Sequence, residues 1–181
     1  FELPLKKDIS LTGVDFHYEG PKSPRVLDDI HLVIPENKVT AIVGASGSGK
    51  TTLLKLILGF YPPNEGAVKI GGIGLQQFSM EMWRSHCGVV MQDGFIFSDT
   101  IARNIAVADD FPDREKLRRA AEISNIGDYI ESLPLRYNTK IGQEGTGLSQ
   151  GQRQRILIAR AVYKEPRYLF FDEATNALDA N

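Results

Sequence analysis

Apolar residues follow two different periods along the chain, and the alternation between these periods predicts the fold. Short β-branched or alternating runs predict strands at residues 9–18, 26–34, 39–43, 67–72, 88–92 and 168–173. Apolar positions at helical spacing predict helices at residues 51–58, 113–124 and 151–164. The runs 39–43 and 168–171 are almost wholly apolar, so we expect buried strands there. This order predicts an α/β fold with a mostly parallel core and a helical insertion.

Composition and charge narrow the class of protein. With 181 residues, 42% of them hydrophobic and 24% charged, the chain is long enough for one soluble globular domain. The formal net charge of -2 gives no reason to expect a nucleic acid as a partner, because proteins that bind the phosphate backbone are usually strongly basic. The single Cys87 permits no intrachain disulfide, which suits a reducing compartment. No apolar stretch approaches the roughly 18 residues of a spanning helix, and Phe1 in place of Met suggests a fragment of a longer polypeptide.

A glycine-rich segment separates the predicted strand 39–43 from the predicted helix 51–58. Residues 44–51 read GASGSGKT and fit the phosphate-binding pattern G-x-x-x-x-G-K-[ST]. Glycines let the backbone approach a phosphate chain closely, and N–H groups at a helix N-terminus attract anions. The sequence predicts nucleotide binding by Gly44, Ser46, Gly47, Ser48, Gly49, Lys50, Thr51 and Thr52. The flanking strand and helix favour this interpretation over a glycine-rich turn without a ligand.

Two acids at the end of the last predicted strand complete a candidate catalytic site. Lys50 is expected to reach the β- and γ-phosphates and the Thr51 hydroxyl to ligate Mg²⁺. Asp172 fits the second acid of P-loop NTPases, which holds Mg²⁺ directly or through water. Glu173 is then placed to deprotonate the attacking water. Alternatively the strand simply ends in solvated acids, but the glycine-rich loop earlier in the chain favours the nucleotide site.

A second motif carries a family resemblance. Residues 148–152 read LSQGQ, precede a predicted helix, and resemble the signature sequence of ATP-binding-cassette (ABC) proteins. The glycine loop, Gln92, the acids at 172–173 and the sequence ALD at 177–179 come in that family's order and spacing. The resemblance covers essentially the whole chain. It implies an α/β fold with a P-loop NTPase (RecA-like) core, an N-terminal antiparallel β subdomain and an inserted α-helical subdomain.

The same resemblance implies a division of the chain. Residues 1–181 would form a single ABC ATPase domain. Its β subdomain and RecA-like core would comprise residues 1–91 and 165–181, and its helical subdomain, with the signature, residues 92–164. The chain would end before the family's switch histidine, so we expect this fragment to bind ATP yet hydrolyse it poorly.

Two further roles on the nucleotide side follow from the resemblance. Tyr18 resembles the aromatic residue that stacks on adenine, although a strand tyrosine in the core is the alternative. Gln92 resembles the glutamine that contacts Mg²⁺ and relays the nucleotide state to a membrane partner. The implied cofactors are ATP and Mg²⁺.

The signature implies a second copy of the domain. Ser149 and Gly151 resemble residues that contact the γ-phosphate of ATP held by the opposite subunit, and Gln152 closes the same motif. Asp179 resembles the acid that communicates between the two sites. The functional unit is therefore expected to be a head-to-tail homodimer.

Two segments resemble exporters within the family. Residues 92–105 carry a phenylalanine and a Thr-Ile-x-x-Asn-Ile pattern, and residues 141–147 resemble an exporter loop near the transmembrane domain. The whole most resembles peptidase-containing bacteriocin or peptide exporters. It implies a partner transmembrane domain and a place on the cytoplasmic face of the inner membrane, attached through missing transmembrane segments. Gln143 stands where exporters often have glutamate, and Gln150 replaces the commoner signature glycine.

Two other functions stay open at this point. A soluble ABC ATPase of DNA repair or translation would share the motifs, although residues 95–105 argue against it. A nucleotide-gated binding module without turnover would share them as well, and only measured hydrolysis separates it from an ATPase.

Overall fold

The computed structural model describes residues 4–19, 23–107, 109–143 and 145–172. It divides into two compact units, Phe1–Arg84 and Ser85–Asn181, each with its own buried core. In the described part of the chain, no helix is both long enough and apolar enough to cross a membrane.

The first unit is built on an antiparallel sheet with the strand order β2-β1-β3-β4. Its elements are β1 (Ile9–Phe16), β2 (Leu27–Ile34), α1 (Lys50–Ile57), β3 (Glu65–Ile70), β4 (Ile73–Gly74), a 3₁₀ turn (Leu75–Gln77) and α2 (Met80–Ser85), whose last residue belongs to the second unit. Alternation along β1 buries Ile9 and Leu11, and after a shift in register it buries Val14 and Phe16. The antiparallel sheet predicted for the N-terminal part is therefore present.

Side chains of α2 hold the C-terminal end of α1. The indole of Trp83 is fully buried and donates a hydrogen bond to the Ile57 carbonyl at 2.9 Å. The Arg84 guanidinium donates to the carbonyls of Leu58 and Gly59 at 3.1 and 2.7 Å. The last carbonyls of a helix lack intrahelical partners and attract cations. The glycine loop therefore precedes a helix whose C-terminal end is held by hydrogen bonds from α2.

The prediction of a buried strand at residues 39–43 is wrong for this structure. Among the described residues these belong to no strand, and the Val39 and Val43 side chains are 101% and 89% exposed. A β-branched run becomes a strand only where a neighbour supplies ladder hydrogen bonds and a covering face. The sequence of residues 39–43 does not by itself determine whether a partner strand lies beside them.

The second unit is mainly helical. Its elements are β5 (Cys87–Val90), β6 (Asp99–Thr100), α3 (Ile101–Ile105), α4 (Arg114–Ile123), α5 (Gly127–Ser132), a 3₁₀ turn (Arg136–Asn138), β7 (Lys140–Ile141), α6 (Gln150–Tyr163) and β8 (Tyr168–Phe171). One hydrophobic core joins α3, α4, α5 and α6 and includes the fully buried Ile101, Ile130 and Ile156. Asp113 caps α4, accepting a hydrogen bond from the Lys116 N–H at 2.9 Å. The predicted helices 113–124 and 151–164 are thus observed within one residue.

The parallel part of the described structure is a ladder between β5 and β8. Their register pairs Cys87 with Tyr168 and Val90 with Phe171. The expectation that β8 is fully buried is wrong, because Leu169 and Phe171 are 46% and 51% exposed. Every residue of the strand is apolar, so the sequence pattern does not distinguish its covered face from its open one.

Candidate functional site

The glycine loop places its last glycine at the N-cap of α1. Gly49 has φ 92°, a left-handed conformation, and has no side chain with which to cap the helix. A Cβ there would lie 2.9 Å from the Leu27 side chain and 3.1 Å from the Val26 carbonyl oxygen. Gly47 also has a positive φ, 79°, but with open space around it. The loop therefore needs glycine at 49 for both conformation and space.

The Lys50 ammonium lies against the loop itself. Its Nζ donates to the carbonyl oxygens of Gly44 and Ala45, both at 2.9 Å. These neutral carbonyls hold the positive charge close to the start of α1. An anionic phosphate would be a stronger acceptor than either carbonyl.

Tyr18 lies next to the N-terminal end of α1. Its hydroxyl is 2.9 Å from the hydroxyl oxygen of Thr52, which is in the first turn of α1. The residue is 37% exposed. The structure thus brings Tyr18 and Thr52 together in the first unit and leaves part of the tyrosine ring open.

The signature motif begins helix α6 with a complete capping box. The Ser149 hydroxyl oxygen accepts a hydrogen bond from the Gln152 backbone N–H at 3.2 Å. The Gln152 side-chain oxygen accepts one from the Ser149 backbone N–H at 2.9 Å. Gly151 lies in the first turn of the helix. The capping role of Gln152 was not foreseen, although the spacing S-x-x-Q is the sequence signal for it.

Gln92 and Asp172 follow the ends of neighbouring parallel strands. Val90 and Phe171 are partners in the ladder, so the residues after them leave the same edge of the sheet. The Asp172 backbone N–H donates to the Val90 carbonyl at 2.9 Å, and the residue is 6% exposed. The two predicted Mg²⁺ ligands of the second unit are therefore brought to one edge. Glu173 and Asp179 lie outside the described residues.

The two exporter-like segments meet in the second unit. Strands β6 and β7 pair Asp99 with Ile141, and the Gln143 N–H donates to the Ser98 hydroxyl oxygen at 3.2 Å. A Cβ on Gly142 would lie 2.9 Å from the Phe97 carbonyl oxygen. Segments distant in sequence thus form one surface, which carries the Phe95 and Phe97 rings at 64% and 44% exposure.

A buried amide organises the backbone below those two rings. Asn104 is 0% exposed, accepts from the Phe97 N–H at 2.8 Å and donates to the carbonyls of Phe97 and Thr100, both at 3.0 Å. Arg160 of α6 donates to the carbonyls of Asn104 and Phe95 at 2.7 and 2.8 Å. Burial lowers the pKa of the Arg160 guanidinium. No sequence motif predicted the contacts of Arg160, because they depend on how α3 and α6 pack. Asn104 is the asparagine of the Thr-Ile-x-x-Asn-Ile pattern, and the hydrogen bonds between its side chain and the backbone lie within residues 97–104.

The glycine loop at the start of α1 defines a phosphate-binding-loop protein. The family profile described as "ABC transporter" matches residues 27–176. The chain therefore belongs to the ABC transporter family, which binds ATP, and the predicted family and P-loop NTPase fold are confirmed.

Several known proteins are similar to this chain. The heterocyst differentiation ATP-binding protein HepA of Nostoc is 45% identical over 176 residues, covering 97% of this chain and 29% of HepA. The toxin RTX-I translocation ATP-binding protein of Actinobacillus pleuropneumoniae is 45% identical over 175 residues, covering 97% of this chain and 25% of that protein. A solved structure of a bacterial Atm1-family ABC exporter with ATP bound has a TM-score of 0.91 and 36% identity, covering 99% of this chain and 31% of the exporter chain.

These relatives are much longer than the chain itself. ABC transporter B family member 21 of Arabidopsis thaliana is 42% identical, and the match covers 97% of this chain but 14% of that protein. The chain thus spans between 14% and 29% of these curated relatives. Some of these relatives are named for toxin translocation or leukotoxin export, so the comparisons do not favour the alternative of a soluble ATPase of DNA repair or translation.

Proposed function

We propose that this chain is the ATP-binding and hydrolysing domain of an ABC exporter. The observation that carries the proposal is the start of α1, where the left-handed Gly49 supplies no side-chain cap and Lys50 lies over the loop carbonyls. A helix N-terminus with a close cation is suited to a triphosphate. The exporter part of the proposal is supported by relatives named for toxin translocation and leukotoxin export.

The loop and its surroundings would bind the nucleotide along its length. N–H groups of residues 44–52 would cradle the phosphates, and Lys50 would exchange its carbonyl partners for the β- and γ-phosphate oxygens. The exposed part of the Tyr18 ring would stack on the base. Such binding positions the γ-phosphate rigidly, which is most of what phosphoryl transfer requires.

The residues expected at the metal offer the right donor atoms for Mg²⁺. Thr51, Gln92 and Asp172 offer hydroxyl, amide and carboxylate oxygens, the ligands that this hard cation takes. Phosphate oxygens and water would supply the remaining ligands of the cation. Bound there, Mg²⁺ would neutralise charge on the phosphates.

Residues beyond the loop would complete the reaction. Glu173 would orient the attacking water and accept its proton. The Ser149 hydroxyl and the Gly151 N–H would donate to the γ-phosphate held by a second copy, in a head-to-tail dimer, and Asp179 would communicate between the two sites. Positioning and fixed dipoles, not covalent chemistry, would supply most of the rate.

The surface carrying Phe95 and Phe97 would receive the transmembrane partner. Both rings are partly exposed and pack edge to face at 5.2 Å, above backbone that Asn104 and Arg160 hold in place. Aromatic side chains on a rigid base are typical of interface centres. The transmembrane domain would place the chain at the cytoplasmic face of the membrane, where ATP hydrolysis would power the export of a peptide or other substrate.

Hydrolysis by the full-length protein tests this function. Purified protein should hydrolyse MgATP, and Glu173→Gln should retain ATP, lose turnover and accumulate dimer in sizing chromatography. Glu165→Gln, an exposed acid before β8, is the control and should leave turnover unchanged. ATP binding without hydrolysis by the unmodified protein would favour a nucleotide-gated module, and a Glu173→Gln protein that stays monomeric with MgATP would contradict the proposed dimer.

A further inference from the structure

An aromatic cluster surrounds the ring of Tyr18. Its centroid is 5.0 Å from that of Phe16 and 5.6 Å from that of Tyr61, with interplanar angles of 83° and 88°. Phe16 is 4% exposed, whereas Tyr18 and Tyr61 are 37% and 40% exposed. The cluster therefore has a buried base and two partly open tyrosines.

The chain fastens the segment that carries Tyr61 to the end of β1. The Asn64 N–H donates to the Asp15 carbonyl at 2.9 Å, and the Asn64 side-chain oxygen accepts from the His17 N–H at 2.7 Å. The Tyr18 hydroxyl is 2.9 Å from that of Thr52. The Tyr18 hydroxyl is therefore held by Thr52 of α1, and the Tyr18 ring is held by the rings of Phe16 and Tyr61.

We propose that Tyr61 is a positioning residue for the nucleotide base, acting through Tyr18. Edge-to-face packing by Phe16 and Tyr61 restricts the Tyr18 ring, so the ring is ordered before the base arrives. Stacking on a preordered ring avoids the entropy cost of ordering it on binding. The inference rests on the proposed ATP site, and it concerns the base and not the phosphates.

Phe60 provides a matched control beside Tyr61. It is 55% exposed and also aromatic, but its ring lies under the Arg84 guanidinium, whose Cζ is 4.6 Å from the ring centroid. None of its described ring contacts involves Tyr18. Replacing Phe60 therefore removes an aromatic ring of similar exposure from the same segment and leaves the Tyr18 cluster in place.

The test compares a ligand that has a base with one that lacks it. ATP and inorganic tripolyphosphate are titrated calorimetrically into the full-length protein and its Tyr61→Leu, Tyr61→Phe and Phe60→Leu variants. Tyr61→Leu should weaken ATP binding by three- to tenfold and leave tripolyphosphate binding within twofold. Tyr61→Phe keeps the ring and should bind ATP as the unmodified protein does, and Phe60→Leu should as well.

A double variant distinguishes positioning from direct contact. Tyr18→Ala alone should weaken ATP binding more than Tyr18→Phe, and adding Tyr61→Leu to Tyr18→Ala should have no further effect. Equal losses for ATP and tripolyphosphate would overturn the proposal in favour of a purely structural role, and additive losses in the double variant would overturn it in favour of a contact that does not act through Tyr18. Unmodified protein that binds neither ligand would instead overturn the proposed nucleotide site, which distinguishes the two failures.

Discussion

Two helices of this chain begin in opposite ways, although each start is expected to face a triphosphate, α1 that of its own copy and α6 that of a second copy. Helix α1 begins at Gly49, which offers no capping side chain. Helix α6 begins at Ser149 with a complete capping box formed with Gln152. At the start of α1, no capping side chain accepts hydrogen bonds from the free backbone N–H groups, so a ligand can accept them. At the start of α6, side chains of the same helix already accept hydrogen bonds from backbone N–H groups.

This difference assigns the two helices different contributions to nucleotide binding. At α1, phosphate oxygens would satisfy N–H groups that no N-cap side chain serves, so most of the affinity should come from there. At α6, the Ser149 hydroxyl oxygen already accepts a hydrogen bond, and its own proton can still be donated. The signature should therefore sense a bound γ-phosphate without binding nucleotide appreciably on its own.

The largest effect should come from removing the cation at α1. Lys50→Ala deletes the ammonium that lies over the loop, and we expect ATP affinity to fall by at least about 100-fold, or roughly 2.7 kcal/mol. Lys55→Ala, in the last turn of the same helix, is the matched control and should change affinity little. Calorimetric titration measures both, and an undiminished affinity in Lys50→Ala would contradict the assignment of the loop.

The next effect concerns the left-handed start of α1. Gly49→Ala combines a positive φ with close contacts to Leu27 and Val26, so we expect a loss of about 2–3 kcal/mol in unfolding free energy, with weaker ATP binding. Gly47→Ala has a positive φ but open space and should cost about 1 kcal/mol. Urea unfolding compares the two, and equal losses would remove the steric part of the argument.

At α6, capping and phosphate sensing can be separated at one position. Ser149→Ala should lower the unfolding free energy by about 1 kcal/mol because the N-cap acceptor is lost. Ser149→Asp keeps an acceptor and should stay within a few tenths of a kcal/mol of the unmodified protein. Its negative charge should nevertheless prevent ATP-dependent dimerisation. An Asp variant that dimerises normally with ATP would break the comparison, because the signature would then not meet the phosphate.

The smallest effect should come from the second half of the capping box. Gln152→Ala removes only the acceptor for the Ser149 N–H, and we expect a loss of about 0.5 kcal/mol in unfolding free energy. The exposed Gln150 at the first position of α6 is the control, and Gln150→Ala should change stability less. A larger loss of unfolding free energy in Gln150→Ala than in Gln152→Ala, measured by thermal or urea unfolding, would show that the Gln152 half of the capping box does not stabilise the helix.

The sequence was sufficient for features that depend on local chemistry. Positive φ and anion binding explain why glycine stands at position 49, and the helical period that follows the signature predicts a helix start near Ser149. The helical periods of α4 and α6 predicted those helices within one residue. Such features are set by neighbours in the chain, so one sequence is enough to identify them.

Features that depend on distant neighbours were not predicted. Residues 39–43 have the composition of a buried strand, yet Val39 and Val43 are exposed, because a strand also needs a partner. The contacts of Arg160 with the carbonyls of Asn104 and Phe95 depend on the packing of α3 against α6. Tyr61 follows the break after α1, and the sequence does not show that its segment returns to β1, where Asn64 bonds to Asp15 and His17.

Mixed dimers test most directly the central claim that the loop of one copy and the signature of another form one site. Lys50→Ala and Ser149→Asp copies of the full-length protein, each also carrying Glu173→Gln so that bound ATP is not turned over, are given different tags and co-expressed, and mixed pairs are isolated by tandem purification. One composite site in each mixed pair keeps both an intact loop and an intact signature. We predict that mixed pairs form an ATP-dependent closed dimer that retains a single ATP, whereas neither variant alone does so. Mixed pairs that behave as the average of the two parents would contradict the account.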